Sequence, residues 1–376
     1  MINKSVKVRL YPNRKQKEQF QNNFGACRFV YNHILDRLKK LYQYYPGQYR
    51  LNIKLINTFL NQIKDENSFL KDVESTSLQQ SSRDLYKSYM NFFKNPKTRF
   101  PRFHSKKKTR LSFRQTVTAN LVQGKYFKLR KYGKIRYRTS KEYINLLNNS
   151  NVKINSITVS CDNGEYYAIV NIEIVNDVLF DFTGVSVGFD VNSNRNGWLV
   201  SSAGDKFRFD ISHENQMIKY LNRQLSLKQK GSRSFNRLQR RLWKYYNKRT
   251  HKLYDYIHKL SKCIVEDFDT VVFEKNLGSI KVLIGGEQNS VFPLMEFIRL
   301  LEYKFGWYKP DADGVVFVDP KYTSKTCNEC GYIHNNLDVN TRNWICPECG
   351  SSLDRDINAA INILNRWDNG DCLVKV

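Results

Sequence analysis

Hydrophobic residues recur along this chain with two spacings, one of strands and one of helices. Val6, Val8 and Leu10 stand at every second position among basic and polar neighbours, which predicts a half-buried strand. Pro12-Asn13 then opens a helix, with Asn13 as N-cap and Gln16 three residues on. Its apolar stripe, Phe20, Phe24, Cys27, Tyr31, Ile34, Leu38 and Leu41, is spaced by fours and threes, and Pro46-Gly47 ends it. Further helical patterns cover 53–64 and 77–93. Strands resume near 111: Tyr126–Arg130 and Lys134–Arg138 flank a Tyr132-Gly133 turn, and a second hairpin joins 154–161 to 165–175 through Asp162-Asn163-Gly164. The pattern predicts that the first strand pairs with these.

From Gly184 the strands become continuous apolar runs. Val185–Asp190 is a buried strand ending in a carboxylate, followed by strands at 197–202 and 206–210 around Ala203-Gly204. Two helices come next, the second over about 235–265, with Leu238, Leu242, Tyr246, Leu253, Ile257 and Leu260 as its expected core stripe. Phe268–Glu274 is another apolar strand closed by a carboxylate; a helix over 292–305 and a buried strand over 314–319 follow.

Charge narrows the possible partners. The 376 residues carry a net charge of +27, a field that attracts polyanions, and 14% of them are aromatic, unlike a disordered basic tail. No apolar run reaches the ~18 residues of a membrane span, and the N-terminus has no signal-peptide hydrophobic region. A cytoplasmic protein with no membrane partner is expected. Between Leu85 and Lys141 there are eighteen Lys and Arg and no acid. Arg99, Arg102, Lys106, Lys107, Lys108 and Arg110 are the candidates there for nucleic-acid contact. The interval 215–254 holds twelve more, again without an acid, with Arg240, Arg241, Lys244 and Lys248 as candidates along the long helix. A merely solvated surface usually mixes both signs, so an anion-binding surface is the better reading.

Two groups of residues carry chemistry. Cys327-x2-Cys330 and Cys346-x2-Cys349, fifteen residues apart, have the spacing of a four-thiolate zinc ribbon holding one structural Zn²⁺. The remaining Cys27, Cys161, Cys263 and Cys372 are scattered and read as small packing residues in a reducing compartment. Asp190 and Glu274 end strands, and Asp356 begins a helix seven residues after the last thiolate. Each acid alone could be a cap or a solvent-facing strand end. Together they suit Mg²⁺, a hard ion that takes oxygen ligands, and a pair of such ions can support phosphodiester hydrolysis. Asp354 reads as a loop or capping acid.

The chain resembles the TnpB family, OrfB-type proteins of bacterial insertion sequences related to type V CRISPR effector nucleases. The resemblance rests on Arg9-Leu-Tyr-Pro, Cys27-Arg-Phe-Val-Tyr-Asn-His, Phe100-Pro-Arg-Phe-His-Ser-Lys, Val187-Gly-Phe-Asp190, Val272-Phe-Glu274, Leu301-Glu-Tyr-Lys, Tyr322-Thr-Ser-Lys-Thr-Cys327, Cys349-Gly and Asp354-Arg-Asp-Ile-Asn-Ala-Ala. It implies an α+β multidomain protein: a wedge β-barrel over 1–12 and 110–182, interrupted by a helical recognition lobe over 13–109. A RuvC-type, RNase H-like nuclease domain would span 183–376, with the zinc ribbon inserted at 322–352. The resemblance also implies a noncoding guide RNA, double-stranded target DNA beside a short target-adjacent motif, and Asp190, Glu274 and Asp356 as the metal ligands. The sequence departs from the family's usual Asp-x-Gly after the first acid, reading Asp190-Val-Asn192. The alternatives are a nuclease-inactive RNA-guided repressor and a strand-transfer transposase.

Overall fold

The structure, a computed structural model, describes residues 2–45, 50–107, 109–116, 121–175, 178–191, 198–275, 293–338 and 341–375. The chain divides into two compact units, Met1–Val175 and Asn176–Val376. Pro46-Gly47, Lys108, Asn192 and Phe292 lie outside the described residues.

In the first unit, β1 (Ile2–Tyr11) buries Val6, Val8 and Leu10 on one face, as alternation requires. It leads into α1 (Arg14–Tyr44), whose capping box is complete: Gln16 N–H donates to Asn13 Oδ1 (2.9 Å) and Asn13 N–H to Gln16 Oε1 (3.0 Å). The Gln16 amide also donates to the carbonyls of Tyr132 and Lys134, fixing the helix start against a hairpin. Helices α2 (Ile53–Glu66) and α3 (Ser75–Lys94) follow. Next come β2 (Leu111–Thr116), β3 (Val122–Gln123), β4 (Tyr126–Leu129) and β5 (Gly133–Arg138), then α4 (Lys141–Asn148), β6 (Lys153–Asp162) and β7 (Glu165–Ile174). Among the described residues these strands form one antiparallel sheet in the order β2-β6-β7-β1-β5-β4-β3. Thus β1 sits between β7 and β5, although α1 to α3 separate it in sequence from every other strand. Phe20 of α1 meets Phe113 and Tyr132 edge-on, at 5.5 and 5.1 Å between centroids, which joins helix and sheet in one core. The sequence pattern gave no sign of α4: only Leu147 is fully buried in its eight residues, too few for a periodic signal.

The second unit contains β8 (Ser186–Val191), β9 (Leu199–Ser201), β10 (Lys206–Phe207), α5 (Ser212–Ser226), α6 (Arg233–Asp267), β11 (Thr270–Glu274), α7 (Leu294–Tyr308) and β12 (Gly314–Val318). The hairpin β13 (Asn343–Ile345) and β14 (Ser352–Asp354) precedes α8 (Arg355–Asp368) and β15 (Cys372–Lys375). Its larger sheet has the order β10-β9-β8-β11-β12-β15 among the described residues, with β8, β11 and β12 parallel. The middles of these three strands are apolar because both faces are covered. Val187, Phe189, Val271 and Phe273 pack on α6 and α7, while Val272 and Val318 pack on Ile363 of α8.

Two local features hold this unit. Gly188 of β8 lies so close to α8 that a Cβ there would stand 2.3 Å from the Ala360 carbonyl oxygen and 2.8 Å from the Leu364 nitrogen. Asp269, just before β11, accepts the Thr183 and Gly184 amides and pairs with the buried Lys309 ammonium at 2.7 Å. Burial alone would raise its carboxyl, but these donors hold it below the usual range.

Three expectations need correction. Tyr246 is 37% exposed and Leu238 half-buried, because among the described residues α6 there packs on α5, through Leu242, Ile218 and Leu221. Cys263 is exposed on α6 rather than packed, whereas Cys27 and Cys161 are buried. The strand expected over 206–210 stops at Phe207. No helix among the described residues is long and apolar enough to cross a membrane.

Candidate functional site

The parallel pairing brings the predicted acids to one end of the sheet. Strand β11 pairs with β8 from Thr270↔Ser186 to Val272↔Gly188, and two residues further along both strands stand Glu274 and Asp190. Helix α8 crosses β8 at Gly188, so its first turn, one turn before Ala360, carries Asp356 to the same end. Its N-terminus favours a carboxylate there. Asp354 is the N-cap, accepting the Asp356 and Ile357 amides, and it also pairs with Lys206 at 2.5 Å. Capping thus falls to Asp354 and leaves Asp356 for other chemistry.

The acids act on one another electrostatically, with arginines beside them. Burial first, then the carboxylates of Glu274 and Asp356, push the Asp190 carboxyl up to about 8; Arg355 and Arg342 act in the opposite sense. Burial also raises Glu274, against a hydrogen bond donated by the Thr323 hydroxyl. Asp356 pairs with Arg342 at 2.7 Å. All three acids keep part of their surface open, so a small ion can reach them. Their oxygens do not all lie within 4.8 Å of one another. Two hydrated divalent ions about 4 Å apart need no tighter cluster, since the outer acids then bind different ions. Partly buried carboxylates, with Asp190 raised by Glu274 and Asp356 despite the nearby arginines, offer the oxygen ligands that hard divalent cations take.

The thiolates do close on a point. The Sγ atoms of Cys327, Cys330, Cys346 and Cys349 all lie within 4.8 Å of one another, with 3.7 Å from Cys327 to Cys349 and 3.6 Å from Cys330 to Cys346. Four sulfurs around zinc at 2.3 Å stand about 3.8 Å apart, so the group fits a tetrahedral Zn²⁺. In both knuckles the glycine after the second cysteine, Gly331 and Gly350, has positive φ (77° and 72°) and donates to the carbonyl of the first. The Ser351 hydroxyl and amide bring the Cys349 thiol down to about 6, towards the thiolate that a metal requires.

Other contacts tie the ribbon to the acids, and sequence reasoning assigned none of them. Asn358 of α8 donates to the Thr326 carbonyl (2.7 Å) and accepts the Asn328 amide (2.9 Å); Asn362 donates to the Thr323 and Thr326 carbonyls (2.8 and 2.6 Å). Thr323 in turn holds Glu274, and Arg342, just before β13, holds Asp356. The signal was present: Asn358 and Asn362 are four apart, on one helix face, inside the segment that carried the resemblance.

The basic candidates occupy two surfaces, one in each unit. Arg99, Arg102, Lys106, Lys107 and Arg110 are exposed in the segment leading to β2. That segment is anchored by its rings: His104 stacks on Tyr31 at 3.8 Å, Asn32 bonds both its amide and its carbonyl, and Phe100 packs edge-on against Tyr89. Arg240, Arg241, Lys244 and Lys248 are exposed on α6. The ridge is not wholly without acids, because Lys248 and Lys252 both reach Glu214 of α5 (3.1 and 2.7 Å). Likewise Arg114 pairs with Asp84. Each acid lies just outside an acid-free interval.

The chain is similar to known proteins over most of its length. Residues 183–278 match the OrfB_IS605 family, described as "Probable transposase", and 295–363 match "Cas12f1-like, TNB domain". Residues 1–45 match the HTH_OrfB_IS605 "Helix-turn-helix domain", although the structure there has one strand and one uninterrupted helix. A "Putative RNA-guided DNA endonuclease" of Streptomyces pristinaespiralis is 28% identical over 96% of this chain and 89% of its own length. The similarly titled InsQ of Escherichia coli (strain K12) is 27% identical over 96% and 91%, and a TnpB-like protein of Methanocaldococcus jannaschii 22% identical over 67% and 87%. Among solved structures, Cas12f1 in a complex with sgRNA and target DNA superposes with a TM-score of 0.63 at 13% identity, over 96% of this chain and 98% of that one. Its fold is therefore shared. From its matched segments and full-length relatives, the chain belongs to the TnpB family.

Proposed function

We propose that this protein is an RNA-guided DNA endonuclease that cuts double-stranded DNA beside a short target-adjacent motif. Its RuvC-type site would consist of Asp190, Glu274 and Asp356. The observation that carries this reading is the approach of the three acids at one end of a mixed sheet, with Asp190 raised by burial and then by Glu274 and Asp356. Two Mg²⁺ ions held there would supply a more acidic water and stabilise charge on the phosphate. Hydrolysis forms a bond from a water oxygen to phosphorus and breaks the ester P–O bond, whose departing oxygen takes up a proton. The chain's residues orient this exchange. Thr323 fixes the rotamer of Glu274, and Asp354 caps α8 so that Asp356 faces the other two acids. The likeness to Cas12f1, together with the relatives' titles, supports a guide RNA and DNA as partners. The first unit would correspond to the wedge barrel (1–12, 110–182) with its helical lobe (13–109), and 183–376 to the nuclease domain with the ribbon at 322–352. The exposed arginines and lysines of both units would lie along the nucleic-acid backbone.

The test is cleavage of matched duplex DNA by the purified protein with its cognate RNA and Mg²⁺. Asp190→Ala should lose cutting by at least about a thousandfold while keeping RNA binding. Normal cutting by Asp190→Ala would refute the site. Target binding without cutting by the wild type, at any Mg²⁺ or Mn²⁺ concentration, would leave a repressor.

A further inference from the structure

We propose that a cavity of the first unit, over Gly25 of α1, receives one unstacked nucleotide of a single-stranded nucleic acid. The inference rests on the nucleic-acid reading above and adds to it a discrete site distant in sequence from the acids and the ribbon.

Gly25 is the starting point. It stands inside a 31-residue helix, where only proline is less favourable than glycine. A Cβ added there would meet nothing within 4 Å, so no neighbour in the protein requires its absence. That bare patch of helix is part of the wall of a cavity of about 820 Å³, within the range of ligand pockets. Gln19, Asn22, Gly25 and Arg28, three apart, form one ridge of α1 along it. Facing them are Phe69 and Asp72, between α2 and α3, together with Lys106 and Lys131.

Each part suits one part of a nucleotide. Phe69 is 47% exposed and braced edge-on by Phe29 (5.2 Å, 77°), a steady ring for a base to stack on. The amides of Gln19 and Asn22 have no hydrogen-bond partner among the described residues, and an amide can donate to and accept from a base edge. Arg28 and Lys106 have no ion pair among the described residues, and Lys131 reaches only the Lys71 carbonyl, at 2.6 Å. Three cations against the single carboxylate of Asp72 favour a phosphate at the rim. A flat base lying against helix backbone needs a position with no side chain, and Gly25 supplies it.

The full-length chain would be titrated with fluorescein-labelled uridine RNA and thymidine DNA of about twenty nucleotides, at ~0.3 M salt, where contacts to exposed charge are screened. Gly25→Leu puts a side chain on the bare patch of the cavity wall while improving helix propensity, so its melting temperature should hold or rise. Its affinity for at least one strand should fall about five- to a hundredfold, the worth of one stacked base, and Phe69→Ala should do the same from an exposed position. Strands carrying 4-thiouridine or 4-thiothymidine should crosslink to the segment containing Phe69, and the strand that does so identifies the source as RNA or DNA. Wild-type affinity of Gly25→Leu and Phe69→Ala for both strands, or no crosslink to that segment from either, would overturn the proposal. A wild-type chain that binds neither strand would instead sink the nucleic-acid reading itself.

Discussion

At the scale of the residue, the energetic cost concentrates on Asp190. Its carboxyl is raised to about 8 in the folded chain, so the fold binds this proton more tightly than the unfolded chain does. Stability from this group is therefore full below about pH 4 and is lost as the pH rises towards 8. A metal-free chain should melt at lower temperature at pH 8 than its other groups alone would dictate, and Asp190→Asn should remove that deficit. Mg²⁺ should raise the wild-type melting temperature at pH 8 and leave that of Asp190→Asn nearly unchanged. Equal shifts in calorimetry would detach Asp190 from metal binding. The three acids were legible because each closes or opens an apolar element, a pattern visible in one dimension. Arg342 and Thr323 were not, since a lone arginine or threonine in a loop becomes meaningful only when folding sets it against a carboxylate.

At the scale of the element, the decisive contact is strand β8 against helix α8. Gly188→Ala would drive a methyl group into backbone atoms of Ala360 and Leu364, neither of which can rotate away. We expect a loss of about 1–3 kcal/mol or more in denaturant unfolding, with cleavage reduced because Asp356 rides on the displaced helix. An unchanged midpoint would mean that the two elements do not pack this closely. Sequence periodicity read the long elements well: the α1 stripe is buried from Phe20 to Leu38. It failed where a helix leaves the main core. Tyr246 fits the spacing of the α6 stripe but lies where, among the described residues, α5 is the packing partner, and spacing cannot tell how far such a partner extends. The order of the strands was largely hidden too, because pairing between distant segments leaves no local trace.

At the scale of the whole molecule, metal and nucleic acid are the terms that remain. Elemental analysis should find about one zinc per chain. Chelation, or Cys349→Ser, should cost both stability and cleavage, since Asn358, Asn362 and Thr323 link the ribbon to α8 and Glu274. Cleavage that survives complete zinc removal would show that the ribbon is dispensable to the acids. The two basic surfaces were visible as acid-free intervals; the acids that do reach them, Asp84 and Glu214, lie one residue outside each interval and were for that reason overlooked.

Eighty-four residues separate Asp190 from Glu274, and eighty-two more separate Glu274 from Asp356. A chain emerging from the ribosome thus lacks its third carboxylate until position 356 and the helix behind it are free of the exit tunnel. If the proposed site is the cutting site, an unfinished chain would lack one of its three metal ligands and would leave the nucleic acid around it uncut.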